Sequence, residues 1–457
     1  MKTGSNAKAR RTAAQMHALA AVRREIGSSD SANGRKYLRE FTRAFQRYDT
    51  VLSTEQLNER INAADILLIG DYHALPASQR FAAKLIETGA QHRPVVLGLE
   101  AVLSRDQKIL DAWWRREIPE DELRQRLLFD REWGYQWPPF YALLITAREH
   151  AEGIYGLDCM PREDLRRIGS RDRHAAAKIC EMREQHPSAA ILVLFGESHM
   201  APQHLPSVLK GLLPAQSILT VLQNVDALYW QAVGQEAAAV SIGDHAVCVF
   251  NSSPLEKYES YRLCFERWNA AADDLPDFAP AVYNLILSLA RCLGFSLDSP
   301  RNGTQPKFLA DSLPEVVCVQ DGATTTGQAT VPVGDRGCLY VPETNTFFIR
   351  EFQMAAAAEE ATRFLHFACR GMAKSSVHAK PVECALAHFG LRLLCPEIET
   401  GESSDSEGSG ESLYRAYIKG RATKAALRRM FLTRIEHREQ AEKIFAEITR
   451  AGSESEV

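Results

Sequence analysis

The fold class is decided by one stretch of the chain, Asp65-Ile66-Leu67-Leu68-Ile69-Gly70-Asp71-Tyr72-His73. A short aliphatic run that ends in glycine is typical of a strand buried on both faces of a parallel sheet. The glycine lets the chain turn sharply where the strand ends. We therefore expect Asp71, Tyr72 and His73 to lie at the carboxyl edge of a sheet, where ligands of such folds collect.

The same pattern, Gly-x-x-His, occurs a second time at Gly196-Glu197-Ser198-His199, after the apolar run 190–195. Between the two copies, the apolar run 95–99 ends in Glu100. Parallel strands end at one edge, so two imidazoles and a carboxylate are expected to meet there. At helix N-termini the imidazoles tend to stay neutral, as a metal ligand or a general base requires. The pattern predicts a metal-binding or acid–base site with His73, Glu100 and His199 at its core.

Further carboxylates follow the same strand ends. Asp71 and Glu197 occupy the second position of the two motifs, and Asp158 ends the run 154–157. Several carboxylates at one edge repel each other unless a cation, lysine or arginine neutralises them. One interpretation is a divalent metal ion with mixed nitrogen and oxygen ligands, for which the candidates are His73, Glu100, His199, Asp71, Glu197 and Asp158. The alternative is that some of these acids cap helices.

Aromatic side chains are dense between Trp133 and Tyr141. Trp133 and Tyr135, beside glycine and proline, are candidates for the wall of a planar ligand's site, and the alternative is ordinary packing of a helix on the sheet. Tyr72 is a candidate cofactor-binding residue because a tyrosine phenolate can bind haem iron; it can equally be a packed ring. Ser198 lies in a near match to the nucleophile elbow Gly-x-Ser-x-Gly, but Met200 replaces the last glycine, which disfavours that reading.

Short apolar runs alternate with helical stretches from residue 65 to about residue 250. The runs predict strands at 66–70, 94–99, 153–157, 190–195, 217–222 and 246–250, and the alternation predicts an α/β fold with a mostly parallel sheet and flanking helices. A C-terminal α+β region and terminal helices are expected to follow. The predicted division is N-terminal helices in 1–50, an α/β domain in 51–250, an α+β domain of unknown role in 255–396, a disordered acidic Ser/Gly linker in 397–412 and terminal helices in 413–457.

Composition excludes several classes of function. The 457 residues carry a net charge of −4, which argues against a nucleic-acid binder. No apolar run is long enough to predict a membrane span or a secretory signal. The ten cysteines contain no Cys-x-x-Cys and lie mostly in apolar runs, so we expect a reducing, cytoplasmic location. The segment 397–457 is a candidate contact for a protein partner, and the oligomeric state stays open.

Five segments of the chain together resemble the ChaN-type haem-binding uptake proteins of the Tiki superfamily. This superfamily also includes TraB-like and erythromycin-esterase-like domains. The matching segments are Ile69–His73, Leu97–Glu100, Trp133–Tyr141, Gly156–Arg162 and Gly196–His199. The resemblance covers residues from about 60 to about 235 and implies an α/β domain whose first strand ends in a histidine-bearing turn. No lipoprotein or secretory leader of the kind common among ChaN-like members is predicted, which weakens a surface haem-uptake role.

The resemblance implies two kinds of function, and the linker and terminal helices in 397–457 leave a third open. ChaN-like proteins are associated with haem or iron handling, so the leading expectation is a protein that binds haem or a divalent ion (iron, manganese or zinc) at the strand ends. Tiki-type relatives resemble metal-dependent proteases and esterase relatives use histidine and glutamate on water, so the second is a hydrolase with His73, Glu100 and His199 as catalytic residues. The third is a non-catalytic interaction protein. A small-molecule ligand or haem is the expected partner of the site.

Overall fold

The computed structural model describes residues 13–29, 36–160, 168–232, 239–269, 277–295, 313–319, 336–370, 376–396 and 405–453. The chain forms two compact units. One is made from residues within 30–264, and the other from residues within 1–29 and 265–457. The first helix, α1 (Ala13–Ser29), is part of the latter unit.

The unit 30–264 is built on one eight-stranded sheet in the order β1-β7-β8-β6-β2-β5-β3-β4. Its strands are β1 (Thr50–Leu52), β2 (Ile66–Asp71), β3 (Val95–Leu103), β4 (Gly153–Asp158), β5 (Ala190–Gly196), β6 (Ile218–Gln223), β7 (Ala239–Ile242) and β8 (Ala246–Val249). Neighbouring strands from β8 to β4 run parallel, while β7 and β1 pair antiparallel at the other edge. The predicted α/β class and the six predicted strands are confirmed.

Helices cover both faces of this sheet because alternate strand residues point to opposite sides. Leu67 and Ile69 enter one apolar core, whereas Ile66 and Leu68 enter the other. The helices are α2 (Lys36–Ala44), α3 (Thr54–Ala63), α4 (Pro76–Ala90), α5 (Gln107–Trp114), α6 (Glu120–Arg126), α7 (Phe129–Glu132), α8 (Trp137–His150), α9 (Ile168–Gln185), α10 (Leu205–Leu212), α11 (Asp226–Ala232) and α12 (Pro254–Asn269). Every helix in the described ranges is too short or too polar to cross a bilayer.

Two strands of this sheet were not predicted from the sequence. β1 and β7 pair with each other through Val51 and Val240, at the edge of the sheet. With three and four residues they are too short to show a period of two. Their pairing depends on residues about 190 positions apart, which local pattern cannot reveal.

The strand register brings the two Gly-x-x-His turns together. β2 pairs with β5 so that Asp71 lies opposite Gly196, which places the two motifs side by side with a stagger of one residue. β3 pairs with β5 as far as Leu99, and its register against β4 is irregular between Leu99 and Leu103. Glu100 lies in this irregular stretch, where local bending can redirect a side chain.

Gly156 in β4 allows this irregular stretch of β3 to approach β4 closely. A Cβ atom at Gly156 would lie 2.8 Å from the carbonyl oxygen of Leu103 and 2.9 Å from that of Val102. We expect Gly156→Ala to lower the free energy of unfolding by about 1–3 kcal/mol, because backbone atoms cannot move aside as a side chain can. Urea unfolding followed by tryptophan fluorescence measures the change. The control is Gly211→Ala in α10, where no atom lies within 4 Å of the added Cβ, and equal midpoints for the two variants would contradict the expectation.

The second unit combines helices with a small sheet. Its strands β9 (Glu315–Cys318), β10 (Cys338–Val341) and β11 (Thr346–Ile349) lie in the order β10-β11-β9. Besides α1, its helices are α13 (Ala279–Leu293), α14 (Met354–Arg370), α15 (Lys380–Leu394), α16 (Asp405–Ile418), α17 (Lys424–Leu432) and α18 (Arg438–Ser453). The α+β region and the terminal helices predicted from the sequence are therefore present. The side chain of Gln15 in α1 donates to the carbonyl oxygen of Leu394 at 2.8 Å.

The predicted linker is wrong over residues 405–412, which form the start of α16. A Cβ atom at Gly410 would lie 2.4 Å from the carbonyl oxygen of Ala385, so glycine permits a close crossing of α16 and α15. Glu411 accepts a hydrogen bond from Arg392 at 2.7 Å. The small and acidic residues were the reason for predicting disorder. Here they allow two helices to cross closely and form an ion pair. The other half of the predicted linker, 397–404, lies outside the described residues.

Candidate functional site

His73, Glu100 and His199 lie together at the carboxyl edge of the sheet. The Nε2 atom of His73 is 3.6 Å from Oε2 of Glu100. The Nε2 atom of His199 is 3.9 Å from Oε1 of the same carboxylate. Both imidazoles thus face one glutamate, from the turns that follow β2 and β5.

An aspartate lies at the Nδ1 atom of each imidazole, on the side of the ring opposite Glu100. The Nδ1 atom of His73 is 2.7 Å from Oδ2 of Asp71, and that of His199 is 2.5 Å from Oδ1 of Asp172. Because a carboxylate accepts hydrogen bonds, both contacts favour a proton on Nδ1 and leave Nε2 directed towards Glu100. The site is therefore a symmetric arrangement of two Asp–His pairs on either side of Glu100.

Glu100 is held as an anion. It is buried and accepts hydrogen bonds from the backbone N–H of Gly196 at 2.5 Å and from Arg171. Burial raises the pKa of the Glu100 carboxyl, but His73, Arg171 and His199 outweigh it and lower the pKa to about 2. Glu100 is thus ionised across the physiological pH range and stabilises positive charge on either imidazole.

Arg171 in α9 neutralises this part of the site. Its Nε and Nη2 atoms donate to the two oxygens of Asp158 at 2.9 and 2.8 Å, and Nη2 also donates to Glu100. Asp158 is fully buried, so its role in the structure is to orient the guanidinium. From the sequence, we expected a metal cation, a lysine or an arginine to neutralise the carboxylates at this edge. Arg171 supplies this positive charge.

Glu197 and Tyr72 lie in a different cluster, around Lys257 of α12. The Nζ atom of Lys257 is 2.8 Å from Glu197, and it lies 4.6 Å from the centre of the Tyr72 ring. Burial, and then the neighbouring Tyr258 and Glu197, raise the pKa of the Tyr72 phenol well above its ordinary value. Glu197 is paired with Lys257 here, and Tyr72 is a neutral phenol over a wide pH range.

A narrow pocket reaches His73. It holds about 10 Å³, which is room for one water molecule. The ring centres of Trp133 and Tyr135 lie 4.3 and 5.2 Å from that of His73, and both rings line this pocket. The His73 side chain is 20% exposed, whereas Glu100 and His199 are 4% and 2% exposed. Of the three predicted core residues, His73 alone is accessible, and the other two lie behind it.

The pKa of His73 is set by opposing effects. Burial lowers the pKa of this imidazole, but the Asp71 and Glu100 carboxylates outweigh it and raise the pKa above the ordinary value. The Oδ1 atom of Asp71 also accepts a hydrogen bond at 2.8 Å from Gln79, which fixes the carboxylate that holds His73. The surroundings therefore favour the imidazolium, as is required of a base that must take up a proton during a reaction.

The predicted metal ligands do not fit a divalent ion. No group of three or more His, Cys, Asp or Glu side chains in the described parts of the chain is arranged to hold a metal. Both oxygens of Glu100 already accept hydrogen bonds, from Gly196 and Arg171, and the guanidinium would repel a second cation. Asp158 and Glu197 are likewise committed to Arg171 and Lys257.

Haem does not fit inside the pocket at His73 either. Pockets for cofactors usually enclose several hundred Å³, far more than the space beside this imidazole. The Nε2 atom of His73 faces Glu100, and Gly196 lies so close that an added Cβ would be 3.3 Å from that nitrogen. A macrocycle would therefore have to lie outside this pocket, where half-buried Tyr72, Trp133 and Tyr135 are the aromatic candidates.

Arg171 and Asp172 were missed by the sequence analysis. They lie in α9 with the buried residues Ala175, Ala176 and Ile179, four and eight positions further on. This helical spacing places the charged pair on the buried face, and it is the signal that could have identified them. The Nδ1 atom of His204 lies 3.4 Å from Oδ2 of Asp172.

The fold and the site define an α/β protein with a buried cluster of paired acids and imidazoles at the carboxyl edge of its sheet. Residues 57–189 match the family described as "Haem-binding uptake, Tiki superfamily, ChaN". The resemblance inferred from the motifs is confirmed for this segment, which includes His73, Glu100, Arg171 and Asp172 and ends before His199. A search of curated proteins finds no match.

Two solved structures are similar to part of the chain. One is described as "Cofacial heme binding to ChaN of Campylobacter jejuni", with 14% identity, a TM-score of 0.31 and coverage of 43% of this chain and 91% of that one. The other is the type III effector HopBA1, with 12% identity, a TM-score of 0.32 and coverage of 45% of this chain and 96% of that one.

Proposed function

We propose that the unit 30–264 is a hydrolase that activates water at His73. The observation that carries this proposal is the arrangement Asp71–His73–Glu100: one carboxylate on Nδ1, a second 3.6 Å from Nε2, and a pocket sized for water beside the ring. At 3.6 Å, Nε2 is not hydrogen-bonded to Glu100 and stays available to a water molecule. We propose small esters as the substrate class, with the ester bound outside this pocket and the water molecule inside it.

The residues supply each proton transfer of ester hydrolysis. Neutral His73 takes a proton from water through Nε2 while the oxygen adds to the ester carbonyl carbon. Asp71 and the Glu100 anion stabilise the imidazolium that forms, because Asp71 faces its Nδ1 atom and Glu100 faces its Nε2 atom. The imidazolium then returns the proton to the leaving alkoxide, so a carboxylic acid and an alcohol result. His199 and Arg171 act as positioning residues that hold Glu100.

The pH dependence of hydrolysis tests this assignment. The base form of His73 is lost as the pH falls through its raised pKa, so the rate should fall on the acid side. Glu100→Gln removes an anion that raises this pKa, and we therefore expect the acid limb to move to lower pH. The measurement is kcat/KM for p-nitrophenyl acetate between pH 5 and 9, as a convenient range spanning histidine titration.

The matched control is Glu117→Gln, which changes an exposed glutamate paired with Arg115. This variant should keep the wild-type pH profile. An acid limb that stays in place in Glu100→Gln, with activity retained, would show that His73 is not the titrating base. Absence of hydrolysis of p-nitrophenyl acetate, butyrate and a short peptide p-nitroanilide by the wild type would reject the hydrolase itself.

Haem binding is a second candidate, favoured by the family match over residues 57–189. A haem site would have to lie outside the water-sized pocket, and its aromatic candidates are Tyr72, Trp133 and Tyr135. Haem iron bound there would take the Tyr72 phenolate as a ligand, a kind of ligation known in haem proteins. The raised pKa of Tyr72 opposes this step, since burial and Glu197 disfavour the phenolate.

Haem titration separates the two candidates. If haem binds through Tyr72, the purified chain should develop a Soret band that Tyr72→Phe abolishes and that Glu100→Gln leaves unchanged. The Phe variant keeps the ring beside Lys257 and removes the phenol oxygen alone, so folding should be preserved. A Soret change that is equal in wild type and Tyr72→Phe would contradict ligation by this residue.

A further inference from the structure

A second cavity of the unit 30–264 shares no lining residue with the pocket at His73. It has a volume of about 750 Å³, within the usual range for small-molecule sites. It opens where β6 and β8 begin, at Ile218 and Ala246, whereas His73 and His199 follow the carboxyl ends of β2 and β5. The hydrolase proposal makes no use of this cavity.

The inner wall of the cavity is apolar. It is formed by the end of α2, the segment after β5, the start of α10 and the first residues of β6. The apolar lining includes Phe45, Met200, Pro206, Ile218, Leu219 and Ile242. A wall of this kind stabilises a bound ligand in proportion to the number of methylene groups that it takes out of water. Its occupant should therefore have an extended hydrocarbon part.

Cations predominate at the rim. Lys210 and His245 are exposed and line the cavity, as does Arg60, which donates to Ser241 Oγ at 2.6 Å and so braces the turn after β7. Asp244 is the acidic residue of the lining. Across the described residues, no carboxylate oxygen lies within 4 Å of the Lys210 ammonium. The charge of the rim therefore favours an anion beside Lys210.

We propose that this cavity binds a free medium-chain fatty acid, with the alkyl chain along the apolar wall and the carboxylate at Lys210. The hydrocarbon supplies most of the binding free energy. The exposed Lys210 ammonium contributes orientation and discrimination against a positively charged headgroup, since an ion pair at the surface adds little affinity. The site is independent of the chemistry at His73.

Calorimetric titration of the whole protein with laurate, below its micelle concentration, tests the proposal. We expect one laurate per chain and binding of dodecyltrimethylammonium that is weaker by about tenfold or more, since its charge is reversed relative to the rim. Lys210→Glu should weaken laurate by a similar factor. The control, Lys84→Glu, reverses an exposed lysine on α4 and should leave laurate binding unchanged.

A second variant blocks the apolar wall. Ser207 lines the cavity from α10 and is exposed, so Ser207→Trp can fill the opening without entering the core. It should abolish laurate binding while the thermal unfolding midpoint stays near that of the wild type. Undetectable binding of laurate, binding unaffected by both variants, or binding only to vesicles of dioleoylphosphatidylglycerol would each overturn the proposal.

Discussion

Arg171→Ala is expected to lower the free energy of unfolding by about 3–5 kcal/mol, because it leaves two buried carboxylates without their countercharge. Glu100 and Asp158 both accept hydrogen bonds from this guanidinium and are almost completely buried. Removing one partner of a buried ion pair costs far more than the pair contributes, since the remaining charge stays out of water. The helix α9 that carries Arg171 should loosen first.

Urea unfolding followed by tryptophan fluorescence measures this loss. Five of the six tryptophans lie within residues 30–264, so the signal reports mainly on the unit that contains Arg171. The control is Arg115→Ala, which breaks an exposed pair with Glu117 and should change stability by no more than about 1 kcal/mol. A similar small change for Arg171→Ala would mean that the buried carboxylates are neutralised in another way.

A triple variant distinguishes charge from packing. Replacing Arg171 by methionine together with Glu100→Gln and Asp158→Asn removes the buried charges as a group. Buried ion clusters replaced in this way often lose little stability. We expect the triple variant to recover part of the loss seen in Arg171→Ala, and failure to recover any of it would assign the effect to the volume of the arginine side chain.

His73→Gln is expected to lower kcat/KM for p-nitrophenyl acetate by about 10²–10⁴-fold, the usual contribution of a positioned general base. Glutamine has a similar length but cannot take up a proton from water at neutral pH. His73 is 20% exposed and lines the pocket, so the substitution should disturb folding little. Steady-state kinetics at pH 8, with circular dichroism as the folding check, measure the effect.

The matched control is His92→Gln, which replaces an exposed histidine after α4. Its rate should equal that of the wild type. Unchanged hydrolysis by His73→Gln would remove this imidazole from catalysis. His199→Gln provides a graded comparison: we expect a smaller loss, about tenfold, because His199 lies behind Glu100 and acts through it.

Much of the fold was predictable because its signals are local. The apolar runs that became β2, β3, β4, β5, β6 and β8 are buried on both faces, so each appears as a continuous aliphatic stretch bounded by turns. Turns after two of these strands carry the Gly-x-x-His motif, and parallel strands end together. Hence the delivery of His73, Glu100 and His199 to one edge follows from strand direction, whereas the order that makes β2, β5 and β3 neighbours does not.

The errors share one physical cause, which is contact between residues far apart in the chain. β1 and β7 are short edge strands whose pairing is not visible in either segment. Gly410 resembles a linker residue by composition, yet it permits the close crossing of α16 and α15. Lys257, about 60 positions after Glu197, removes that glutamate from the His73 cluster.

By itself, the amino-acid sequence determined the parallel sheet and the edge to which two imidazoles and a carboxylate are delivered, because strand burial and turn formation depend on neighbouring residues. Tertiary structure alone decided what these groups can do. It brought Arg171 to Glu100 across 71 positions, set Asp172 behind His199 and left His73 as the accessible imidazole. Charge compensation and access to water depend on distances in space, so spacing along the chain cannot specify them.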